Sequence, residues 1–210
     1  MLRIENLTKR YGTHTLFEGM TRTFEPGCHA LMGPNGCGKS TLLALLAGVL
    51  APDTGSIQIA GRDLAADALG AKANLAYVPD NADAYPSLSG RELLERAAST
   101  KDNSADGAFA LAEQFRLIPH LDKRFEQMSF GTQKKMLLAA LAIGEPAVVL
   151  ADEPSNGLDA HTRRVLVDLL KTRGQTSVVL FSTHDPDFAE ECAAQLVSFE
   201  SLTRPHASAA

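Results

Sequence analysis

The sequence predicts an α/β fold around a largely parallel sheet, with a helical subdomain at about residues 81–143. Three observations carry this. The first 60 residues are strand-rich. Apolar strands then alternate with helices, an order that favours parallel pairing. The run AVVLA at 147–151 is apolar without a break, as a strand covered on both faces requires.

Each element has its own signal. Leu2, Ile4 and Leu7 mark an edge strand, and residues 13–24 a second, with Leu16, Met20 and Phe24 apolar. CHALM at 28–32 is a short apolar strand ending at a glycine-rich turn. Residues 40–47 are dense in leucine and alanine and read as a helix, with Pro52 shortly beyond. Strands follow at 56–60 and 75–78. Residues 89–117 are helix formers, broken around 102–107. A helix at 132–143 stops at Gly144 and Pro146. The strand at 148–151, the helix at 159–171, the strand at 177–182, the helix at 186–194 and a last strand at 196–199 complete the alternation. From Ser201 the tail is small and polar and is expected to fray.

Composition narrows the function classes. The 210 residues fit one domain, taken here as residues 1–210, with 45% hydrophobic and 21% charged content near the globular average. The net charge of −5 argues against a duplex nucleic acid as partner. The longest apolar run, 42–51, contains Gly48 and falls short of the roughly 20 residues of a membrane span. The start MLRIENLTKRYG lacks the apolar stretch of a secretory signal. Cys28, Cys37 and Cys192 are widely spread, form no metal pattern and fit a reducing cytosol.

Gly33-Pro34-Asn35-Gly36-Cys37-Gly38-Lys39-Ser40 fits G-x-x-x-x-G-K-[ST] between a predicted strand and a predicted helix. Glycines let backbone N–H groups turn towards phosphate oxygens, and the helix start adds a positive dipole end. Lys39 reaches the β- and γ-phosphates, and the Ser40 hydroxyl is a Mg²⁺ ligand. Asp152-Glu153 end the apolar strand at 148–151, where ligands sit in open α/β sheets. Asp152 suits the Mg²⁺ shell and Glu153 a general base on water. Alone, the pair also fits a solvated strand end; beside the phosphate loop the functional reading prevails. VVLFSTH at 178–184 repeats the pattern, and His184 suits a contact to a terminal phosphate or water. In isolation it equally fits a helix cap. Cys37 lies near a helix N-terminus, a setting in which a thiol can be reactive; the alternative is a small, inert space-filler.

Met128-Ser129-Phe130-Gly131-Thr132-Gln133 opens a helix some twenty residues before the acidic strand. With the phosphate loop and the acidic pair in this order, the chain resembles the nucleotide-binding subunit of an ATP-binding cassette (ABC) transporter, over about residues 2–200. The segment matches the signature loop, usually L-S-G-G-Q: Met128 replaces leucine, Phe130 replaces the first glycine, Thr132 follows Gly131, and Ser129, Gly131 and Gln133 are kept. The resemblance implies a P-loop NTPase fold with an N-terminal antiparallel β subdomain and a helical subdomain. It implies ATP contacts from Tyr11, which matches the adenine-stacking aromatic, from Gly33, Pro34, Asn35, Gly36, Cys37, Gly38, Lys39, Ser40 and Thr41, and from Ser129, Gly131 and Gln133 of an opposing subunit. Mg²⁺ falls to Ser40, Asp152 and Asp80, and catalysis to Glu153, His184 and Lys39. Ser155 to Asp159 matches the loop linking two sites across a dimer.

One departure stands out: Asp80, before Asn81, replaces the family's usual glutamine. A carboxylate offers oxygens only and adds a negative charge. Asp80, with the YPSLSGRE stretch at 85–92, is similar to some bacterial exporter-type subunits. The implied partners are a homodimer or heterodimer of ATP-binding subunits and a separate integral membrane subunit docked near residues 84–92. The implied place is the cytoplasmic face of the membrane, without nucleic acid. A soluble non-transport ABC ATPase and a phosphate-loop kinase or GTPase remain as alternatives.

Overall fold

The computed structural model describes residues 1–80 and 86–203; Asn81, Ala84, Tyr85 and the segment 204–210 lie outside the described residues. Strands β1 (Leu2–Tyr11), β2 (His14–Phe24), β4 (Thr54–Ile59) and β5 (Arg62–Asp63) form an antiparallel sheet in the order β2-β1-β4-β5. Strands β3 (Gly27–Met32), β6 (Leu75–Val78), β7 (Val148–Ala151), β8 (Val178–Ser182) and β9 (Gln195–Ser198) form a second sheet, β6-β7-β8-β3-β9, in which every pairing is parallel.

The parallel sheet is covered on both faces, which is why its strands read as apolar runs. Alternate residues face opposite layers. Val148, Leu150, Val178 and Leu180 join one core with Leu2, Ile4, Phe17 and the leucines of α1 (Lys39–Leu46). Val149, Ala151, Val179 and Phe181 join the other, with helices α6 (Ala160–Gly174) and α7 (Pro186–Glu191). That second core also takes in the helical region: α3 (Gly90–Ser99), α4 (Asp106–Gln114) and α5 (Phe130–Ala139).

Local chemistry sets the helix starts. Ser89 and Glu92 cap α3 reciprocally: the Ser89 hydroxyl accepts from the Glu92 N–H, and the Glu92 carboxylate accepts from the Ser89 N–H. Asp159 caps α6 and Asp185 caps α7 through first-turn N–H groups.

Several expectations are corrected. Helix α5 begins at Phe130 rather than Thr132, because Ser129 caps it, and after Ala139 it tightens into a 3₁₀ turn at Ala140–Ala142. The last helical stretch of the alternation, α7, ends at Glu191. The short strand β5 and helix α2 (Ala68–Ala73) had no sequence signal strong enough to place them. The tail does not fray at Ser201. Phe199–Thr203 forms helix α8, and Leu202 is buried against the strands of the first core. Phe199 itself packs on Phe17, with ring centroids 5.5 Å apart.

Burial of Leu202 makes the Leu202→Ala variant less stable by about 2 kcal/mol, the low end for a terminal site that can relax. Urea unfolding monitored by circular dichroism checks this; an unchanged midpoint would mean that the segment contributes nothing to the core.

Candidate active site

Parallel pairing sends the C-terminal ends of β6, β7, β8 and β3 to one edge of the sheet. Four loops therefore leave side by side: Asp80 after β6, Asp152 and Glu153 after β7, Thr183 and His184 after β8, and the glycine-rich loop after β3. They enclose a cavity of about 390 Å³ lined by Asn35, Gly36, Gly38, Lys39, Ser40, Thr41, Asp80, Asp152, Glu153, Asn156 and His184.

The glycine-rich loop needs glycine at Gly38. Its φ is +113°, and a Cβ there would stand 2.7 Å from Leu16 Cδ1 and 3.0 Å from the Phe199 ring. Gly38 precedes α1, whose first-turn N–H groups have no partners within the helix and no side-chain cap. Lys39 is 6% exposed, and its ammonium donates to the carbonyls of Gly33 at 2.7 Å and Pro34 at 3.1 Å. Of its three N–H groups, one remains beyond these two bonds. The arrangement is a basic, donor-rich pocket for an oligophosphate.

Opposite it stand the acids. Asp152 is 3% exposed, and its carboxylate accepts from the Ser182 hydroxyl at 2.5 Å. Glu153 has φ +44°, a left-handed backbone unusual for a residue with a long side chain, held by its N–H donating to Ser182 Oγ at 2.9 Å. Glu153 Oε2 lies 3.0 Å from His184 Nδ1. The pair gives a carboxylate whose direction is set by an imidazole. The donors suit Mg²⁺: the Ser40 hydroxyl and Asp152 offer only oxygen. Among the described residues no group of three or more His, Cys, Asp or Glu could hold a metal ion by itself.

Asp80 lines the cavity too, and its carboxylate forms an ion pair of 3.0 Å with the buried Lys134. Sequence reasoning missed Lys134, and missed Asn156 as a lining residue. A lysine immediately after the signature segment reads as a solvated helix charge, and nothing local marks it as buried.

The remaining predicted residues lie elsewhere. Gly33 and Pro34 contribute the carbonyls that hold Lys39. Cys37 is half-buried against the first core, as a space-filler would be. Tyr11 is 50% exposed at the end of β1, with the Lys9 ammonium 5.5 Å from its ring centroid, and does not line the cavity. Nor do Ser129, Gly131 and Gln133. Ser129 caps α5, accepting from the Thr132 N–H at 3.3 Å. The Gln133 amide nitrogen donates to Phe125 O at 2.5 Å, tying the loop to itself. Gly131 sits against Gly157 O, and Lys135 pairs with Asp159 at 3.3 Å, so the signature segment and the loop at 155–159 are neighbours. Phe130 at the tip is 54% exposed.

Asp159 titrates far below an ordinary aspartate, at about 2, because the Thr162 N–H, and then the Thr162 hydroxyl and Lys135, favour its charged form. A lowered folded value stabilises the fold above the unfolded value near 4 and loses that contribution as pH falls towards 2. Asp159→Asn keeps the cap without titrating. Its thermal midpoint is therefore expected to fall less steeply between pH 4 and 2 than that of the wild type.

Comparisons with known proteins agree with this geometry. A family profile described as ABC transporter matches residues 17–156. The Nod factor export ATP-binding protein I of Paraburkholderia xenovorans is 32% identical over 207 residues, covering 95% of this chain and 67% of that protein. An Fe(3+) ions import ATP-binding protein of Rhodococcus jostii is 35% identical over 196 residues, covering 88% of this chain and 55% of its own length. The chain thus spans about two thirds of the export relative. A solved ATP-binding subunit of an ABC transporter superposes with a TM-score of 0.85 at 28% identity, over 94% of this chain and 85% of that one. A dimeric ATP-binding cassette in a post-hydrolysis state bound to ADP and Pi has the same fold, with a TM-score of 0.82 at 23% identity and 94% coverage of both chains.

Proposed function

Because the chain belongs to the ABC transporter family of ATPases, we propose that it binds and hydrolyses ATP to drive a separate transmembrane subunit, with export as the direction of transport. The observation that carries this is the convergence of Lys39, Ser40, Asp152, Glu153 and His184 on one cavity. Relatives named as export proteins cover 93–95% of this chain, which supports export. Among the described residues no helix is long and apolar enough to cross a membrane.

The triphosphate lies along the glycine-rich loop, its oxygens taking the α1 first-turn N–H groups and the Lys39 ammonium. Tyr11, exposed at the end of β1, is available to stack on adenine. Ser40 and Asp152 would hold Mg²⁺, which when bound neutralises charge on the phosphates. Glu153 takes a proton from the attacking water as its oxygen bonds to the γ-phosphorus. The bond to the β-phosphate oxygen breaks, and ADP and phosphate result. His184 aims the Glu153 carboxylate through Nδ1 and presents its other nitrogen to the γ-phosphate.

Ser129 and Gly131 sit outside the cavity of their own chain. Their helix start is suited to a terminal phosphate held by a second copy or a related subunit, in a head-to-tail dimer. The assembly would sit on the cytoplasmic face of the membrane, with a docking surface around residues 84–92, of which Ala84 and Tyr85 lie outside the described residues.

Removing the base is expected to slow turnover without preventing binding. Glu153→Gln lowers phosphate release by about 100-fold or more, while ATP shifts the variant towards a dimer in size exclusion with light scattering. A variant that turns over ATP at the wild-type rate would overturn the base assignment. Ser129→Ala is expected to lower ATPase activity at dimer-forming concentrations while leaving ATP affinity of the monomer within about twofold, since Ser129 lies outside its own chain's cavity and the lost α5 cap costs stability rather than binding. A phosphate-loop kinase or GTPase would be indifferent to it.

A further inference from the structure

Lys134 is the most deeply buried charged side chain near the cavity, 1% exposed. It sits on α5, five residues after the capping Ser129. Its ammonium donates to Asp152 O at 2.8 Å, Asp80 Oδ1 at 3.0 Å and Asp80 O at 3.1 Å, with Pro79 O at 3.4 Å. One charged group thus joins three pieces of backbone: the helix whose N-terminus is the signature loop, the end of β6 and the end of β7. The two strand ends carry Asp80 and Asp152, both facing the cavity.

Elementary energetics does not require this lysine. A buried ammonium without a counter-ion is costly, and an apolar side chain of similar length would be neutral or better for stability. Burial pulls the Lys134 ammonium below the ordinary lysine value, and Asp80 first, then Asp152 and Glu153, pull it back up. Asp80 is the carboxylate within ion-pair distance among the described residues.

We propose that Lys134 is a positioning residue of the ATPase cycle, which fastens the signature helix to the strand ends beside the chain's own ATP cavity, and that Asp80 is its counter-ion rather than a ligand of Mg²⁺. The proposal rests on the reading of the cavity as an ATPase site. It accounts for a carboxylate where an amide is usual. An amide cannot neutralise a buried ammonium, whereas Asp80 does so and uses its backbone carbonyl on the same donor. It also gives a direct physical route between two half-sites. A shift at the β6 or β7 end, where the phosphates and Mg²⁺ are handled, moves the ammonium, and the ammonium moves the helix whose first turn faces the other subunit's nucleotide.

The test is a double-mutant cycle on the full chain with Mg-ATP, reading kcat, the KM for ATP and the Mg²⁺ concentration for half-maximal turnover. Lys134→Met and Asp80→Asn are each expected to lower kcat about tenfold, and the double variant by no more than either single change. KM and the Mg²⁺ requirement stay within about twofold of wild type throughout, since the triphosphate and metal contacts are intact. A purely structural lysine would leave kcat of Lys134→Met at the wild-type value, which overturns the proposal. So would kcat losses that multiply in the double variant, or a several-fold higher Mg²⁺ requirement in Asp80→Asn alone. Should Lys134→Met not fold, Asp80→Asn carries the test, because the Asp80 side chain is 49% exposed. Its kcat loss at an unchanged Mg²⁺ requirement supports the proposal, and the reverse pattern overturns it. A wild-type chain without Mg²⁺-dependent ATP turnover sinks the ATPase reading itself. An active wild type with the wrong cycle sinks this inference alone.

Discussion

The structure depends on parallel pairing of β6, β7, β8 and β3. Parallel strands place all their C-terminal ends on one edge, and the crossover connections lie on the two faces. Phosphate loop, acidic pair, histidine and Asp80 are separated by up to 150 residues in sequence yet share one cavity for this reason. The register sets the depth of each group. Ala151 is level with Val78 and with Phe181, so Asp152 emerges one residue beyond β7 between its neighbours.

Around that edge the polar groups are held rather than free. Asp152 is fixed by Ser182, Glu153 by Ser182 and His184, Lys39 by two loop carbonyls and Lys134 by Asp80 and Asp152. In a low-dielectric site such satisfied networks keep charges at defined positions, and an unpaired member would be expensive. The left-handed Glu153 backbone costs on the order of 1–3 kcal/mol, and the two cores on either side of β7 are what hold it there. Strain and preorganisation meet at the residue proposed as the general base.

Much of the architecture was legible because its signals are local. Continuous apolar strands at 148–151 and 178–182, a glycine-lysine loop and carboxylates after a strand need no long-range knowledge. Runs of helix formers announced α3, α6 and α7. What failed was mostly short or terminal. Helix α2 is only six residues long and strand β5 only two, too short for a periodic signal. Leu202 is apolar among polar residues and became core only because β2 and α1 offered it a place. Gln133 has the side chain of a ligand contact, yet its amide nitrogen is spent on Phe125 O, a partner eight residues back that only the loop's path brings close.

The sequence by itself determined the family, the α/β order and the chemistry of the phosphate loop, Asp152, Glu153 and His184. Each follows from residue types at fixed spacing just beyond its own strand, β3, β7 or β8. Only the tertiary structure decided which groups face one another: the Glu153–His184 contact, the burial of Lys134 and its pairing with Asp80, and the separation of Ser129 from its own chain's cavity. The physical reason is range. Turn, cap and period-two signals act over a few residues, whereas the cost of burying an ammonium is decided by whichever strand ends the fold packs beside it.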